Sequence, residues 1–161
     1  MKALRYVALA VVVALSGFSR AQSAERTDAG PGSGREQLVG AWRLAWMEEQ
    51  GADGKVTRST DRKGILIYTP DGQMSVQVMY PSSETVSSQN PVQYAQDGYE
   101  ASFGSYEVNE QAHTVTNHVE GSLVRALVGD DLPRVYRFSD GRLTLRSSRP
   151  DEHWSVTWEH Y

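Results

Sequence analysis

Short segments in which apolar and polar residues alternate recur between residue 39 and the C-terminal end, and turn sequences such as "PDG" and "SDG" separate them. A period of two is that of a β-strand, in which successive side chains point to opposite faces. The segments are also rich in β-branched and aromatic residues, which favour strands. The pattern predicts eight strands, at 39–48, 64–69, 73–80, 103–108, 113–121, 133–138, 142–147 and 153–159.

Connections of hairpin length join most of these segments, so neighbouring strands are expected to pair in antiparallel order along the chain. Eight such strands predict an all-β, up-and-down barrel, because closure removes both edges of the sheet. A barrel of this size has an interior wide enough for packed side chains or for one small ligand. A β-sandwich would produce a similar alternation and is the alternative architecture.

The long break in this rhythm is the polar segment 81–102. After Pro91 the segment can form a short helix, since Asn90 is a favourable N-cap and proline suits the first helical position. A connection of this length is either a lid over the mouth of the barrel or a solvated surface loop. Tyr94 and Tyr99 are its candidate lid contacts.

The N-terminal residues 1–23 have the pattern of a secretory signal peptide. Lys2 and Arg5 precede an apolar run over 6–18, and small residues suited to cleavage follow it. Export to the periplasm or outside the cell is therefore expected, with membrane contact only before cleavage; an uncleaved anchor is the alternative. Residues 24–36, rich in glycine and charge, predict a flexible leader, and 37–161 form the folded domain.

Composition excludes several classes of function. The chain has no cysteine, so disulfides and thiol chemistry are absent. A net charge of −4 without runs of lysine or arginine argues against nucleic acid as a partner. The four histidines lack the spacing of metal ligands, and there is no phosphate-binding or dinucleotide-binding motif. Neither a metal nor a cofactor is expected.

Several strings together resemble the lipocalin-like domain family of bacteria and fungi: "LVGAWRL", "GILIYTPDGQMSVQV", "FGSYEV" and "TVTNHVEGSL". The resemblance runs from about Leu38 to Glu159 and implies a closed or nearly closed β-barrel with a central cavity. It carries over no catalytic residues. The chain departs from the family pattern at Asn117, where relatives often have a second histidine.

His118 and Glu120 are the first candidates for chemistry. Side chains two residues apart on a strand share a face, and an imidazole beside a carboxylate can transfer a proton near neutral pH. If this face points into the barrel, the pair can anchor a ligand or act as acid and base. If it points outward, Val115 and Val119 are buried instead and the pair is ordinary surface.

Arg134 is a second candidate, because an arginine on an otherwise apolar face must find a carboxylate, a carbonyl or an anion. The resemblance offers a structural alternative, in which a late-strand arginine packs over the first-strand Trp42 and closes the barrel base. Further candidates for the cavity wall are aromatic and methionine side chains: Trp46, Tyr68, Met74, Tyr106 and Tyr136.

The sequence thus predicts a barrel that binds a small, mostly apolar or amphipathic molecule. One alternative is an enzyme, an isomerase, cyclase or hydrolase that uses His118 and Glu120 inside the barrel. Another is a periplasmic protein-binding module, which needs an exposed apolar patch on the loops 81–102 or 122–133. Whether His118 faces into or out of the barrel is the observation that best distinguishes the ligand-binding protein from the enzyme.

Overall fold

The strands predicted from alternation form a closed antiparallel barrel. The computed structural model describes residues 32–81 and 94–161. The elements in these ranges, in chain order, are α1 (Gly34–Leu38), β1 (Gly40–Gln50), β2 (Val56–Ser59), β3 (Lys63–Tyr68), β4 (Gln73–Met79), β5 (Tyr99–Asn109), β6 (Thr114–Ser122), a 3₁₀ helix (Arg125–Leu127), β7 (Asp131–Ser139), β8 (Arg142–Ser147) and β9 (Trp154–His160).

Closure comes from the pairing of the first strand with the last. From β3 to β9 each strand pairs with the next along the chain, and β9 returns to β1. The first part of β1 pairs with β3, and its last residues, Met47–Gln50, pair with β2. The barrel expected from the sequence is confirmed, with β2 as an additional strand. This strand escaped prediction because its four residues are largely exposed and show no alternation of burial.

One end of the barrel, called the base here, carries the turns that follow β3, β5 and β7, and α1 packs against it. Ser33 caps α1 through a capping box with Glu36. The Gly34 and Arg35 amides both donate to the Glu110 carboxylate at 2.9 Å, and Leu38 is fully buried. The predicted leader therefore ends too late, because Gly34–Glu36 already belong to the ordered domain.

The opposite end, called the mouth here, differs from prediction in one respect. β5 begins at Tyr99, where it pairs with Met79 of β4, so residues 99–102 are strand and not part of the predicted loop. Asp97 and Gly98, both with positive φ, turn the chain into β5. The predicted helix begins at Pro91, outside the described residues, and the residues described from Tyr94 onward up to β5 are not helical. The signal peptide and most of the leader also lie outside the described residues.

The interior divides into two parts. The larger cluster fills the base and middle of the barrel, with Leu38, Trp42 and Leu143 each at most 2% exposed. A smaller cluster, Val119, Leu127 and Leu132, lies under the 3₁₀ helix. None of the helices in the described ranges is long and apolar enough to span a membrane. Above the larger cluster, towards the mouth, polar and charged side chains enter the interior.

Candidate functional site

The inner face of β6 is formed by Val115, Asn117 and Val119, which are all buried. His118 and Glu120 consequently lie on the outer face, where Glu120 is exposed. The prediction that this pair anchors a ligand inside the barrel is wrong. Alternation places the two residues on one face but leaves open which face is inside, and the buried valines decide it.

His118 has surface carboxylates as neighbours. Its Nδ1 lies 2.6 Å from the Asp131 Oδ1 of β7, and its Nε2 lies 3.9 Å from the Glu107 Oε2 of β5. The side chains of both acids are mostly exposed, at 67% and 82%. These contacts join three neighbouring strands on the outside of the barrel. His118 and Glu120 therefore cannot act as acid and base on a molecule inside the cavity.

The barrel interior holds a cavity of about 90 Å³ towards the mouth. Apolar side chains from six strands form its sides: Met47, Leu66, Val76, Val78, Leu132, Leu145 and Val156. Polar and charged groups complete it: Glu49, Tyr80, Tyr94, Glu100, Ser102, Asn117, Arg134, Trp154 and Trp158. The cavity is thus apolar along its sides with hydrogen-bonding groups directed inward, which is the usual composition of a small-molecule site.

Arg134 is the predicted site residue that does line this cavity. It is 6% exposed, and its guanidinium carbon lies 5.1 Å from the Tyr94 ring centroid and 4.8 Å from that of Trp154. Its Nη1 donates to the Pro133 carbonyl at 3.2 Å. The structural alternative, packing over Trp42, does not occur, because the His160 ring occupies that position at 4.1 Å.

Glu152 holds the two aromatic rings that flank Arg134. This carboxylate, 5% exposed, accepts hydrogen bonds from the Tyr94 hydroxyl at 2.9 Å and the Trp154 indole at 3.0 Å. Arg149 Nη1 lies 3.3 Å from it. Burial acts to raise the pKa of Glu152, but the hydrogen bonds and the charge of Arg134 together hold this pKa below its ordinary value. Tyr94, proposed as a lid contact, therefore has a fixed place in the wall, whereas Tyr99 donates to Gln77 on the surface.

Glu100 is a carboxyl group that faces the cavity from β5. Burial raises the pKa of Glu100 to about 7, although a hydrogen bond from Tyr80 and the charges of Arg134 and Arg62 favour its ionised form. Arg62 itself is buried, pairs with Glu49 at 3.1 Å and lies over the Tyr80 ring. The mouth side of the interior therefore contains one carboxyl group that changes charge near neutral pH.

Trp158 lines the cavity and carries a buried hydrogen-bond donor. Its side chain is 2% exposed, and its indole Nε1 has no hydrogen-bond acceptor among the residues that the structure describes. A buried donor without an acceptor costs free energy unless a bound molecule supplies one. Asn117, in the same wall, accepts a hydrogen bond from the buried Tyr68 hydroxyl at 3.3 Å.

Four of the other predicted wall residues belong to the core below the cavity. Met74 is 3% exposed, and Tyr68 packs edge to face on Tyr106. The Tyr106 hydroxyl donates to the Thr69 carbonyl at 2.8 Å, and the Tyr136 hydroxyl donates to Glu110 at 3.2 Å. Alternation assigned these residues correctly to the interior, but it does not indicate how far along the barrel each one lies.

Trp46 is on the outside of the barrel, between Arg58 and Arg142, whose guanidinium carbons lie 4.8 and 5.4 Å from its ring. The prediction that it lines the cavity is wrong because of an irregularity in β1. The register with β9 shifts between Leu44 and Trp46. A bulge of this kind adds one residue and exchanges the two faces of the strand beyond it, so Met47 points inward instead.

Sequence reasoning missed Glu100 because it assigned this residue to the loop 81–102 instead of β5. It missed Arg62 because this residue lies in the connection between β2 and β3, where no alternation marks a buried side chain. The sequence did contain a signal for three other wall residues. Trp154 and Trp158 share a strand face with Val156, and Asn117 shares one with Val115 and Val119. Nothing local distinguishes these residues from ordinary core.

A shallow groove on the outer surface lies across β4, β5 and β6 and the loop after β6. Its apolar members Phe103, Leu123 and Val128 are exposed by 58%, 42% and 48%. The loop 122–133 is therefore less polar on its surface than the sequence suggests. Among the described residues, no group of three or more His, Asp or Glu side chains is placed to hold a metal ion.

A match to a protein-family model agrees with this architecture. Residues 39–160 match the family model of the lipocalin-like domain. Similar solved structures include a lipocalin-like protein from Bacteroides uniformis, at 14% identity over 78% of this chain and 99% of that one, with a TM-score of 0.44. A second is an uncharacterized protein from Bacteroides eggerthii, at 13% identity over 77% of this chain and 99% of that one, with a TM-score of 0.45. A third is a mutant of the fluorescent protein UnaG, at 12% identity over 78% of this chain and 96% of that one, with a TM-score of 0.40. The search of curated proteins finds no match.

Proposed function

Because the chain belongs to the lipocalin-like domain family, we propose that it binds a small amphipathic molecule in the cavity on the mouth side of its barrel. The observation that carries the proposal is the Trp158 indole N–H, a buried donor without a protein acceptor among the described residues, on a side chain that lines the cavity. Apolar side chains around it provide a surface for the body of a ligand. The ligand is therefore amphipathic rather than mostly apolar.

Cavity size limits the ligand. One water-sized group needs about 10–15 Å³ of such space, so a cavity of about 90 Å³ accepts roughly six to nine non-hydrogen atoms. Only a small molecule, or the end of a longer one that extends through the mouth, fits this volume. The proposal includes export to the periplasm or the exterior, supported by the cationic and apolar N-terminal pattern of residues 1–23.

The tryptophans make the proposal testable by NMR. The chain has four, and ¹⁵N-labelled protein gives one indole N–H signal for each. Titration with 1-hexanol, a small molecule with an acceptor oxygen and an apolar body, is expected to shift the Trp158 signal downfield as its N–H gains an acceptor. The Trp46 signal, from the outside of the barrel, serves as the internal control and stays in place.

Trp158→Phe keeps an aromatic ring in the wall and removes the donor. One hydrogen bond contributes about 0.5–1.5 kcal/mol net, so this variant is expected to bind 1-hexanol about 2- to 12-fold more weakly. The matched variant Trp46→Phe is expected to bind it like the wild type. Equal affinities in all three proteins, or shifts confined to surface residues, would show that the cavity is not the binding site.

A further inference from the structure

We infer that the polar end of the ligand is a carboxylate, held by the guanidinium of Arg134 and the indole N–H of Trp158, and that its binding is coupled to protonation of Glu100. The inference rests on the proposed function, since it assigns the chemical class of the molecule bound in that cavity. Three features of the cavity wall carry it.

The first is that Arg134 has a buried charge without a carboxylate in contact. Its side chain donates to the Pro133 carbonyl and hydrogen bonds with Tyr94, and no carboxylate within the described residues lies within 4.0 Å of it. A guanidinium has five N–H donors, so most of them are left for a ligand. The flanking rings of Tyr94 and Trp154 stabilise the cation but supply no negative charge.

The second is that the other carboxylates near the cavity already have hydrogen-bond or ion-pair partners. Glu49 pairs with Arg62 at 3.1 Å. Glu152 acts on Arg134 through its charge, but its oxygens accept hydrogen bonds from Tyr94 and Trp154 and it does not contact the guanidinium. Among the lining residues, Glu100 is then the carboxyl group without an ion-pair partner that can balance Arg134. An anion that enters the cavity can pair with Arg134, and ionised Glu100 competes with it for that guanidinium.

The third is the set of groups around Glu100. It faces Arg134 of β7, Arg62 from the connection before β3 and the Tyr80 hydroxyl that follows β4; Glu49, Tyr94 and Trp158 line the same cavity. Because burial keeps its pKa near 7 despite the two arginines, Glu100 is neutral or charged within the physiological range. Neutral Glu100 leaves Arg134 to the ligand, and ionised Glu100 repels a carboxylate.

The coupling has a definite sign. A bound carboxylate raises the pKa of Glu100 above its value in the free protein, so binding takes up a proton. Affinity is then highest below pH 7 and falls as the pH rises through 7, by up to tenfold for each pH unit. Between pH 6 and pH 8 the dissociation constant is expected to increase about tenfold.

Hexanoate and hexanamide are suitable probes, because they have the same size and differ in charge. Hexanoate is expected to bind the wild-type protein at pH 6 at least tenfold more tightly than hexanamide, and to lose about tenfold by pH 8. Hexanamide binding is expected to be independent of pH. In Glu100→Gln, hexanoate binding loses its pH dependence and stays tight at pH 8, whereas Glu107→Gln, changed on the outer face of the same strand, behaves like the wild type.

Arg134→Met keeps most of the side-chain volume and is expected to weaken hexanoate binding about 10- to 100-fold without weakening hexanamide or 1-hexanol comparably. The control is Arg137→Met, which changes an exposed arginine three residues along the same strand. The affinity of Arg134→Met for neutral 1-hexanol is measured separately. It shows whether the variant is folded with an intact cavity, and it is the reference for the loss of hexanoate affinity in the same protein.

The outcomes are distinguishable. If hexanamide binds as tightly as hexanoate at pH 6, or if Arg134→Met weakens both equally, the carboxylate assignment is overturned while cavity binding stands. If hexanoate is preferred but its affinity is the same at pH 6 and pH 8, the coupling to Glu100 is overturned. If hexanoate, hexanamide and 1-hexanol all leave the Trp158 signal unchanged at millimolar concentration, the proposed function itself fails.

Discussion

Replacement of Glu152 by alanine is expected to destabilise the mouth side of the barrel more than any surface substitution. The carboxylate is 5% exposed and accepts hydrogen bonds from Tyr94 and Trp154. Hydrogen bonds to a charged group contribute about 1.5–3 kcal/mol each. The ion pair with Arg149 adds little, because that side chain is 30% exposed and solvent screens it. Loss of both hydrogen bonds is expected to lower the free energy of unfolding by about 3–6 kcal/mol.

Glu152→Gln separates geometry from charge. The amide keeps one acceptor oxygen, so a loss of about 1–2 kcal/mol is expected. The pKa of Glu152 is lower in the folded protein than its ordinary value. The ionised carboxylate therefore stabilises the fold fully at a pH above the ordinary pKa, and this stabilisation is lost as the pH falls through the lowered pKa of the folded protein. The gap between wild type and Glu152→Gln should therefore narrow in acid.

Urea unfolding followed by circular dichroism measures both variants, with Glu107→Ala as the control for an exposed glutamate of the barrel. Tryptophan emission gives a second readout, since Trp154 is one of the two rings that Glu152 holds. A Glu152→Ala protein within about 0.5 kcal/mol of Glu107→Ala, a change typical of surface substitutions, would show that this carboxylate does not organise the rings around Arg134.

Two further predictions concern the outer face and the base. His118→Ala is expected to leave 1-hexanol binding and its effect on the Trp158 signal unchanged, because the ring lies outside the barrel; a loss of binding in a folded variant would contradict the assigned faces. Gly34→Ala is expected to cost about 1–3 kcal/mol in urea unfolding, since a Cβ there would overlap the Tyr136 hydroxyl and the Glu110 carboxylate. Gln37→Ala in the same helix should cost less, and equal costs would show that α1 is not docked at this point.

The site was only partly predictable. Arg134 could be recognised because a charge stood out on the apolar face of β7, and that face is indeed buried. Glu100 gave no such signal, because the polar sequence around it concealed the start of β5. Trp46 was misplaced by a bulge, which follows from the pairing of β1 with β9 rather than from the residues of β1 alone.

Sequence alone determined all strands of the described ranges except β2 and the start of β5, and the two sets of residues on most of them, since these follow from local periodicity. These strands favoured a barrel, and strings such as "LVGAWRL" and "TVTNHVEGSL" indicated the family. Only the tertiary structure decided which set faces inward, as with Asn117 and His118, and how far along the barrel each inward side chain lies. The physical reason is that alternation shows which residues of a strand share a face. Which face is buried, and where along the barrel axis a side chain lies, depends on strands distant in sequence. Arg134, Glu100 and Trp158 belong to three such strands and share one cavity only because the barrel closes.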